Sequence, residues 1–159
     1  MSHVTSLKIE VSCLDSLKAA CAELGLEFVE NQKTYRWYGR SVGDYPLPAG
    51  MTTKDLGKCD HAIRIPGDSK AYEIGVRKYN GKYTLVWDFY NGGYGMAEKV
   101  GGNEAGKLLQ AYGVNAAERA AKKQGMLNKR MQQPDGTIRL VCEAKPQYAM
   151  AGGGYGSGY

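Results

Sequence analysis

The chain has 159 residues, a formal net charge of +5, and a content of 43% hydrophobic and 23% charged residues. These values predict one globular domain that buries a core, and no run of about 18 apolar residues marks a membrane span. The N-terminal segment has no basic flank followed by a continuous apolar run. The sequence therefore predicts no secretory signal and a cytoplasmic location, in a cytosol or a stroma-like compartment.

The first two elements follow from the spacing of apolar residues. Residues 4–11 alternate between apolar and polar positions, which predicts a strand. Ser12 and Asp15 have the spacing of a capping box, and an apolar stripe follows them. This pattern predicts a helix from Leu14 to Leu24 that ends at Gly25.

Three more strands are predicted in the first half of the chain. They are LEFVE at 26–30, KTYRWYG at 33–39 and HAIRIPG at 61–67. Residues 41–58 contain three glycines together with Pro46 and Pro48, which predicts an exposed loop.

Asn80-Gly81 is the strongest short hairpin signal in the chain. It lies between two alternating runs within residues 71–90, and both residues tolerate the positive φ angles of a type I′ turn. The two-residue loop fixes the register by counting outward. The predicted pairs are Tyr79 with Lys82, Val76 with Leu85, and Ile74 with Trp87.

The second half of the chain predicts one helix and a closing hairpin. The helix can be capped by Asn103 and ends at Gly125. Its apolar stripe consists of Leu108, Leu109, Tyr112, Ala116 and Ala120. The hairpin consists of NKRMQQ, a turn at Pro134-Asp135-Gly136, and TIRLVCEA.

Together these elements predict an α+β fold in the order β-α-β-β-β-β-β-α-β-β. The sheet is mainly antiparallel, with two helices packed on one face and the other face open to solvent or to a partner. The domain spans residues 1–146, and the Gly- and Tyr-rich residues 147–159 are predicted to be a flexible tail. The face under the helices is predicted to carry Ile63, Ile74, Val76, Leu85 and Trp87.

The hairpin register also predicts a polar cluster on the uncovered face. One step beyond Ile74 and Trp87, Glu73 lies opposite Asp88, and like charges in that position are unfavourable. Arg64 and Arg77 are the cations that can compensate. We interpret these four residues as the candidate binding site. Either the carboxylate pair shares a proton or grips a cation or a partner's basic group, or the four residues are a surface charge ladder of little energy.

The cysteines and histidines predict neither a metal site nor a cofactor. The densest group is Cys59-Asp60-His61, which lacks the second ligand pair of a structural zinc site, so free buried thiols or one reactive thiol remain the interpretations. No nucleophile elbow, HExxH or phosphate-loop motif is present. A catalytic role would need a deep pocket that contains Asp88 or His61.

A nucleic-acid interface is the second class of function to consider. Five cations that could meet phosphates are Arg119, Lys122, Lys123, Lys129 and Arg130. Cations are also common on the solvated last turn of a helix, where the helix dipole favours them. The aromatic residues near the hairpin, Tyr72, Tyr83, Trp87 and Phe89, alternate in phase with apolar residues, which predicts core packing instead of base stacking.

Several segments resemble one protein family in order and spacing. They are MSHVTSLKI at the start, Tyr-Gly-Arg at 38–40, CDHAIRIPG at 59–67, YEIG at 72–75, YTLVWD at 83–88, LLQAY at 108–112, KQG at 123–125 and DGTIRLV at 135–141. The chain resembles, over roughly residues 1–144, domain-of-unknown-function family 1257, which includes hypothetical plastid and cyanobacterial ycf proteins. The loop at 41–58 and the tail fall outside the resemblance, and MLNKRM at 126–131 is more polar than the family pattern.

The resemblance implies little about chemistry, because the family has no established activity. Its members look like proteins of the cytosol or stroma that are sometimes encoded near AAA-type ATPases, which implies an adaptor role beside such an ATPase. We therefore expect a non-catalytic protein-binding or adaptor module. The alternatives are a single-stranded nucleic-acid-binding module, and a small enzyme or ligand-binding protein that uses the Glu73 and Asp88 face.

Overall fold

The structure, a computed structural model, describes residues 2–41, 43 and 45–145, without the side chain of Lys8. The fold class is α+β, as predicted. In chain order the elements are β1 (Val4–Val11), α1 (Leu14–Glu23), β2 (Glu27–Val29), β3 (His61–Arg64), β4 (Ile74–Tyr79), β5 (Lys82–Asp88), α2 (Met96–Val100), α3 (Gly106–Lys123), β6 (Met126–Gln132) and β7 (Ile138–Ala144). A single 3-10 turn occurs at Thr53–Asp55, and Tyr90–Gly95 is an irregular turn whose four central residues have positive φ angles.

The strands form two separate antiparallel sheets. Five of them are ordered β1-β5-β4-β3-β2, while β6 and β7 pair as a two-stranded ribbon. The chain divides into two compact units, Met1–Tyr112 and Gly113–Tyr159. The single domain over residues 1–146 stays a prediction. The predicted tail at 147–159 lies outside the described residues. Among the helices that are described, none has the length and apolar character needed to cross a membrane.

The central hairpin has the predicted loop and register. Asn80 and Gly81 have φ angles of 50° and 78°, as a type I′ turn requires. The observed pairs include Tyr79 with Lys82 and Val76 with Leu85. The Asn-Gly signal was sufficient here because turn and register are both local properties.

One face of the five-stranded sheet forms the core of the first unit. All five predicted residues of this face are fully buried: Ile63, Ile74, Val76, Leu85 and Trp87. The helices bury apolar stripes that include Leu17, Ala20 and Cys21 in α1, Val100 in α2, and Leu108, Ala111 and Tyr112 in α3. Trp87 is so closely packed that a Cβ on Gly93 would lie 3.1 Å from its Cζ3.

The helix starts differ from their predicted positions. The N-cap of α1 is Cys13, whose Sγ accepts from the Ser16 amide at 3.4 Å, so the predicted cap at Ser12 was wrong. The last long helix begins at Gly106, three residues after the predicted cap Asn103, because Ala105 has a positive φ of 55°. On that helix Ala121 is buried and Ala120 is exposed.

Two further corrections concern the element order. The predicted strand KTYRWYG is not a strand, and only an isolated bridge joins Thr34 to Lys58. An additional short helix, α2, follows β5. The described chain therefore runs β-α-β-β-β-β-α-α-β-β.

The sheet face away from this core is not open, contrary to the prediction. Tyr35, Cys59, Ala62 and Val86 form a second buried cluster there, with Trp37 and Met51 packed against it. Both sheet faces in the first unit are therefore covered over part of their area, and the predicted polar cluster has to be judged inside this second layer.

We expect truncation of Trp87 to Ala to lower the free energy of unfolding by about 3 to 5 kcal/mol, because the indole is fully buried. Urea denaturation followed by circular dichroism measures this change. Tyr79→Ala is the control, since Tyr79 is 62% exposed and its loss should change stability by less than about 0.5 kcal/mol. A loss below about 1 kcal/mol for Trp87→Ala would place the core elsewhere.

Candidate functional site on the second sheet face

The second sheet face is organised by successive cross-strand pairs of β4 and β5. Gly75 pairs with Val86, and Arg77 pairs with Thr84. The same register carried two residues past Gly75 and Val86 brings Glu73 opposite Asp88. Since every second residue shares a face, these three pairs lie side by side on one surface.

An extended segment, residues 33–38, crosses this surface, and we call it the strap. One edge of the strap pairs with backbone groups. Tyr35 N–H donates to the Gly57 carbonyl at 3.0 Å, and Cys59 N–H donates to the Lys33 carbonyl at 2.9 Å. The other edge meets Glu73 and Asp88.

Glu73 holds the middle of the strap. Its Oε1 accepts from the Arg36 backbone N–H at 2.8 Å and from Gln32 Nε2 at 3.0 Å. Its own backbone N–H donates to the Arg36 carbonyl at 2.9 Å. The Arg36 guanidinium lies 3.7 Å from Glu73 Oε2 and also donates to the Ala71 carbonyl at 2.7 Å.

Asp88 is fully buried and holds three segments together. Its Oδ1 accepts from the backbone N–H groups of His3 at 2.9 Å and Tyr90 at 3.1 Å, and its Oδ2 accepts from that of Tyr38 at 3.1 Å. An ionised carboxylate is an acceptor-only group, so three amide donors match it well.

The strap side chains fill the surface between these anchors. The Tyr35 ring lies over Gly75 so closely that a Cβ there would be 2.5 Å from Cδ1 of the ring. Burial raises the pKa of Tyr35 to about 12, although the Gly57 amide and Arg77 oppose the change. The Tyr35 hydroxyl makes no hydrogen bond of good geometry with any described residue.

The predicted four-residue cluster does not form. Arg64 pairs with Glu27 on the neighbouring strand, with Nε 2.9 Å from Oε1 and Nη2 3.2 Å from Oε2. Arg77 lies 3.9 Å from Asp55, in the segment 49–58, which we call the covering loop.

The predicted register was correct, but the predicted exposure was wrong: Glu73 is 4% exposed and Asp88 is 0% exposed. The cation beside Glu73 is Arg36, which sequence reasoning missed because no local pattern links it to a strand 37 residues away.

The Cys59-Asp60-His61 segment uses its polar atoms separately. Burial raises the pKa of Cys59 to about 11, and its thiol donates to the Gln32 carbonyl at 3.2 Å. Asp60 accepts from the Lys78 amide at 2.7 Å, and His61 Nδ1 accepts from the Asn31 amide at 3.0 Å. Within the described residues no set of three His, Cys, Asp or Glu side chains is arranged to hold a metal ion.

The five cations of the predicted nucleic-acid set do not share one surface. Arg119, Lys122 and Lys123 are exposed near the end of α3. Lys129 and Arg130 are consecutive in β6, so their side chains point to opposite faces of the ribbon. Arg130 is already paired with Glu118 through contacts of 2.9 and 2.7 Å.

Two of the aromatic residues near the hairpin, Trp87 and Tyr72, are buried and therefore cannot stack on bases.

Comparison of the chain with protein-family models, curated protein sequences and solved structures found no match.

We expect Asp88→Asn to destabilise the first unit by about 2 to 4 kcal/mol. The substitution replaces one acceptor oxygen of a fully buried side chain by an NH2 group that faces backbone amide donors. The measurement is the free energy of unfolding, with limited proteolysis to test whether the strap is released. Asp60→Asn is the matched control, because Asp60 is only half-buried and accepts one backbone N–H. Equal stability of Asp88→Asn and the parent chain would contradict the structural role.

We expect Gly75→Ala to lower the free energy of unfolding by about 1 to 3 kcal/mol, since the new methyl group would overlap the Tyr35 ring. Gly113→Ala is the matched control. Gly113 lies within α3, and nothing lies within 4 Å of the position that a Cβ would take there, so this change should stabilise the helix by up to about 1 kcal/mol. In thermal denaturation we expect the midpoint temperature to fall for Gly75→Ala and to rise for Gly113→Ala. An unchanged midpoint for Gly75→Ala would show that the strap does not rest on the sheet.

Proposed function

We propose that this chain is a non-catalytic protein-binding module that docks through the outer face of its β6–β7 ribbon. The outer ribbon face consists of Leu127, Lys129, Met131, Arg139, Val141 and Glu143. The observation that carries the proposal is the exposure of two large apolar side chains there, Leu127 at 50% and Met131 at 42%.

The opposite face of the ribbon is already used within the second unit. Arg130 forms its ion pair with Glu118 of α3, and Asn128 Nδ2 donates to the Glu118 carbonyl at 3.4 Å. Because side chains alternate along a strand, Leu127, Lys129 and Met131 face away from these contacts. The outer face is therefore the side available to a partner.

The second unit buries little apolar surface by itself. Between residues 113 and 145, which are all described, Ala121 is the only apolar residue that is buried. A two-stranded ribbon is marginally stable in water unless it packs on something else. A partner that covers Leu127, Met131 and Val141 would remove apolar area from water at about 25 cal/mol per Å².

The charge of this unit favours an acidic partner. Residues 113–145 contain seven Lys or Arg and three Asp or Glu, a net charge of +4 out of +5 for the whole chain. Lys129 and Arg139 lie on the outer ribbon face itself, opposite Val141 and Met131. We infer a partner protein with an acidic rim around an apolar patch, since such complementarity steers association.

A catalytic role is not needed to explain the buried carboxylates. Glu73 and Asp88 are bonded to strap and terminal amides, which gives both a structural role. The resemblance to family 1257 adds the suggestion that the partner is an AAA-type ATPase, and that suggestion rests on the resemblance alone.

The test compares partner capture by three forms of the full chain. The binding variant carries Leu127→Ser and Met131→Ser, and Tyr79→Ser, on the first unit, is the control for loss of an exposed apolar side chain. After capture from a nuclease-treated native lysate, quantitative mass spectrometry should find acidic proteins retained by the parent and the control but depleted at least ten-fold by the binding variant. Circular dichroism verifies that all three forms keep their helices.

Two outcomes would contradict the proposal. Retention of the same proteins by the double variant would place docking elsewhere. Capture that occurs in an untreated lysate and is lost after nuclease treatment, together with steep salt-dependent binding of a random single-stranded oligonucleotide, would favour the nucleic-acid alternative. For that alternative, Arg119, Lys122 and Lys123 are the exposed cations to substitute.

A further inference from the structure

The second sheet face also contains a recess that no strap residue lines. Its floor consists of Ser6 on β1, Thr84 on β5 and Arg77 on β4, which are neighbouring strands. Ala49, Gly50, Met51 and Asp55 from the covering loop and Tyr79 complete the lining. The volume is about 210 Å³, below the 300–1,000 Å³ typical of sites for drug-sized ligands. The recess therefore suits a small molecule.

The recess places one cation and one anion side by side without joining them tightly. Arg77 Nη2 lies 3.9 Å from Asp55 Oδ1, whereas a charge-assisted hydrogen bond spans about 2.7–2.9 Å. The Arg77 guanidinium makes no hydrogen bond to another described residue, so most of its five N–H donors are available. A ligand can bind both groups without first breaking a strong ion pair.

Asp55 is held in place independently of any ligand. Its Oδ2 accepts from the Thr52 backbone N–H at 2.8 Å and from the Thr52 hydroxyl at 3.2 Å. These contacts leave Oδ1 directed toward Arg77. The backbone amide of Thr52 is the largest influence that lowers the pKa of Asp55, and Arg77 contributes in the same direction.

The remaining groups supply hydroxyls and an apolar wall. Ser6 and Thr84 contribute hydroxyl groups that make no side-chain hydrogen bond to another described residue. The buried Tyr35 hydroxyl makes no hydrogen bond of good geometry in the described part of the chain, and it is close enough to Arg77 for the guanidinium to influence its pKa. Met51 lines the recess and packs against the Tyr35 cluster.

These charges discriminate between simple ligand classes. A lone carboxylate would be attracted by Arg77 but repelled by Asp55, and a lone ammonium group would be attracted by Asp55 but repelled by Arg77. A molecule with adjacent negative and positive groups satisfies both. Arg77 can also bind a carboxylate through two parallel N–H bonds, which adds directional selectivity.

We propose that this recess binds a free α-amino acid with a small uncharged side chain. The α-carboxylate binds Arg77 with support from the Ser6 and Thr84 hydroxyls, and the α-ammonium group binds Asp55 Oδ1. The side chain lies against Met51. This function is separate from docking of the outer ribbon face, because every lining residue belongs to the first unit.

The experiment titrates the full chain with glycine, L-alanine, L-serine, L-valine and L-methionine by isothermal calorimetry. Propionate and N-acetyl-L-alanine provide the carboxylate alone, and ethylamine provides the amine alone. We expect 1:1 binding of at least one amino acid, and at least ten-fold weaker binding of all three single-charge probes.

The variants test each charge separately. Arg77→Gln and Asp55→Asn should each weaken amino-acid binding at least ten-fold, and Arg64→Gln, whose guanidinium is paired with Glu27 outside the recess, should leave it unchanged. Nuclear magnetic resonance of the parent chain gives a second measurement that needs no variant. The amide signals of Ser6, Arg77 and Thr84 should shift on titration, while those of Leu127 and Met131 should not.

The proposal fails if none of the five amino acids binds at millimolar concentration. It also fails if propionate binds as tightly as the best amino acid, or if neither Arg77→Gln nor Asp55→Asn weakens amino-acid binding. Shifts confined to residues outside the recess would likewise overturn it.

Discussion

The buried Asp88 carboxylate is the contact on which the first unit depends most. Its two oxygens accept backbone N–H groups from His3 before β1, from Tyr38 in the strap and from Tyr90 after β5. Buried main-chain amides need an acceptor, and here a single side chain supplies it for three segments. His3 and Tyr38 are 85 and 50 residues away in sequence, so one carboxylate closes long loops at both the edge and the second face of the sheet.

The turn that follows Asp88 shows why such an anchor is needed. Asn91, Gly92, Gly93 and Tyr94 have consecutive φ angles of 50°, 63°, 61° and 52°, a left-handed conformation that normally occurs in single residues. Surrounding contacts must hold a strained segment of this kind in place. Gly93 meets that requirement, because its carbonyl accepts from the Tyr72 amide at 2.9 Å and its Cα packs against the core indole. The Tyr90 bond to Asp88 fixes the entry to the turn.

The features that sequence could predict are those whose causes are local. Asn80-Gly81 determined a turn and, by counting, a register that correctly placed Glu73 and Asp88 on one face. The strap was predicted as a strand because its alternation is real, yet one of its edges pairs with carboxylates from a different part of the chain. The same reason explains why Arg77 was predicted to compensate Glu73 and Asp88. The loop that carries Asp55 brings this carboxylate to Arg77, and no periodicity in the sequence encodes that contact.

Position along one register therefore decides what each pair on the second sheet face does. Glu73 and Asp88 bind the strap, Gly75 and Val86 make room for its buried ring, and the next pair in the register, Arg77 and Thr84, lines the recess. Charges beneath the strap are saturated by backbone amides, whereas Arg77 keeps unused donors. The same chemistry is thus structural beneath the strap and available for binding in the recess, which is why burial, and not residue type, separates anchor from site.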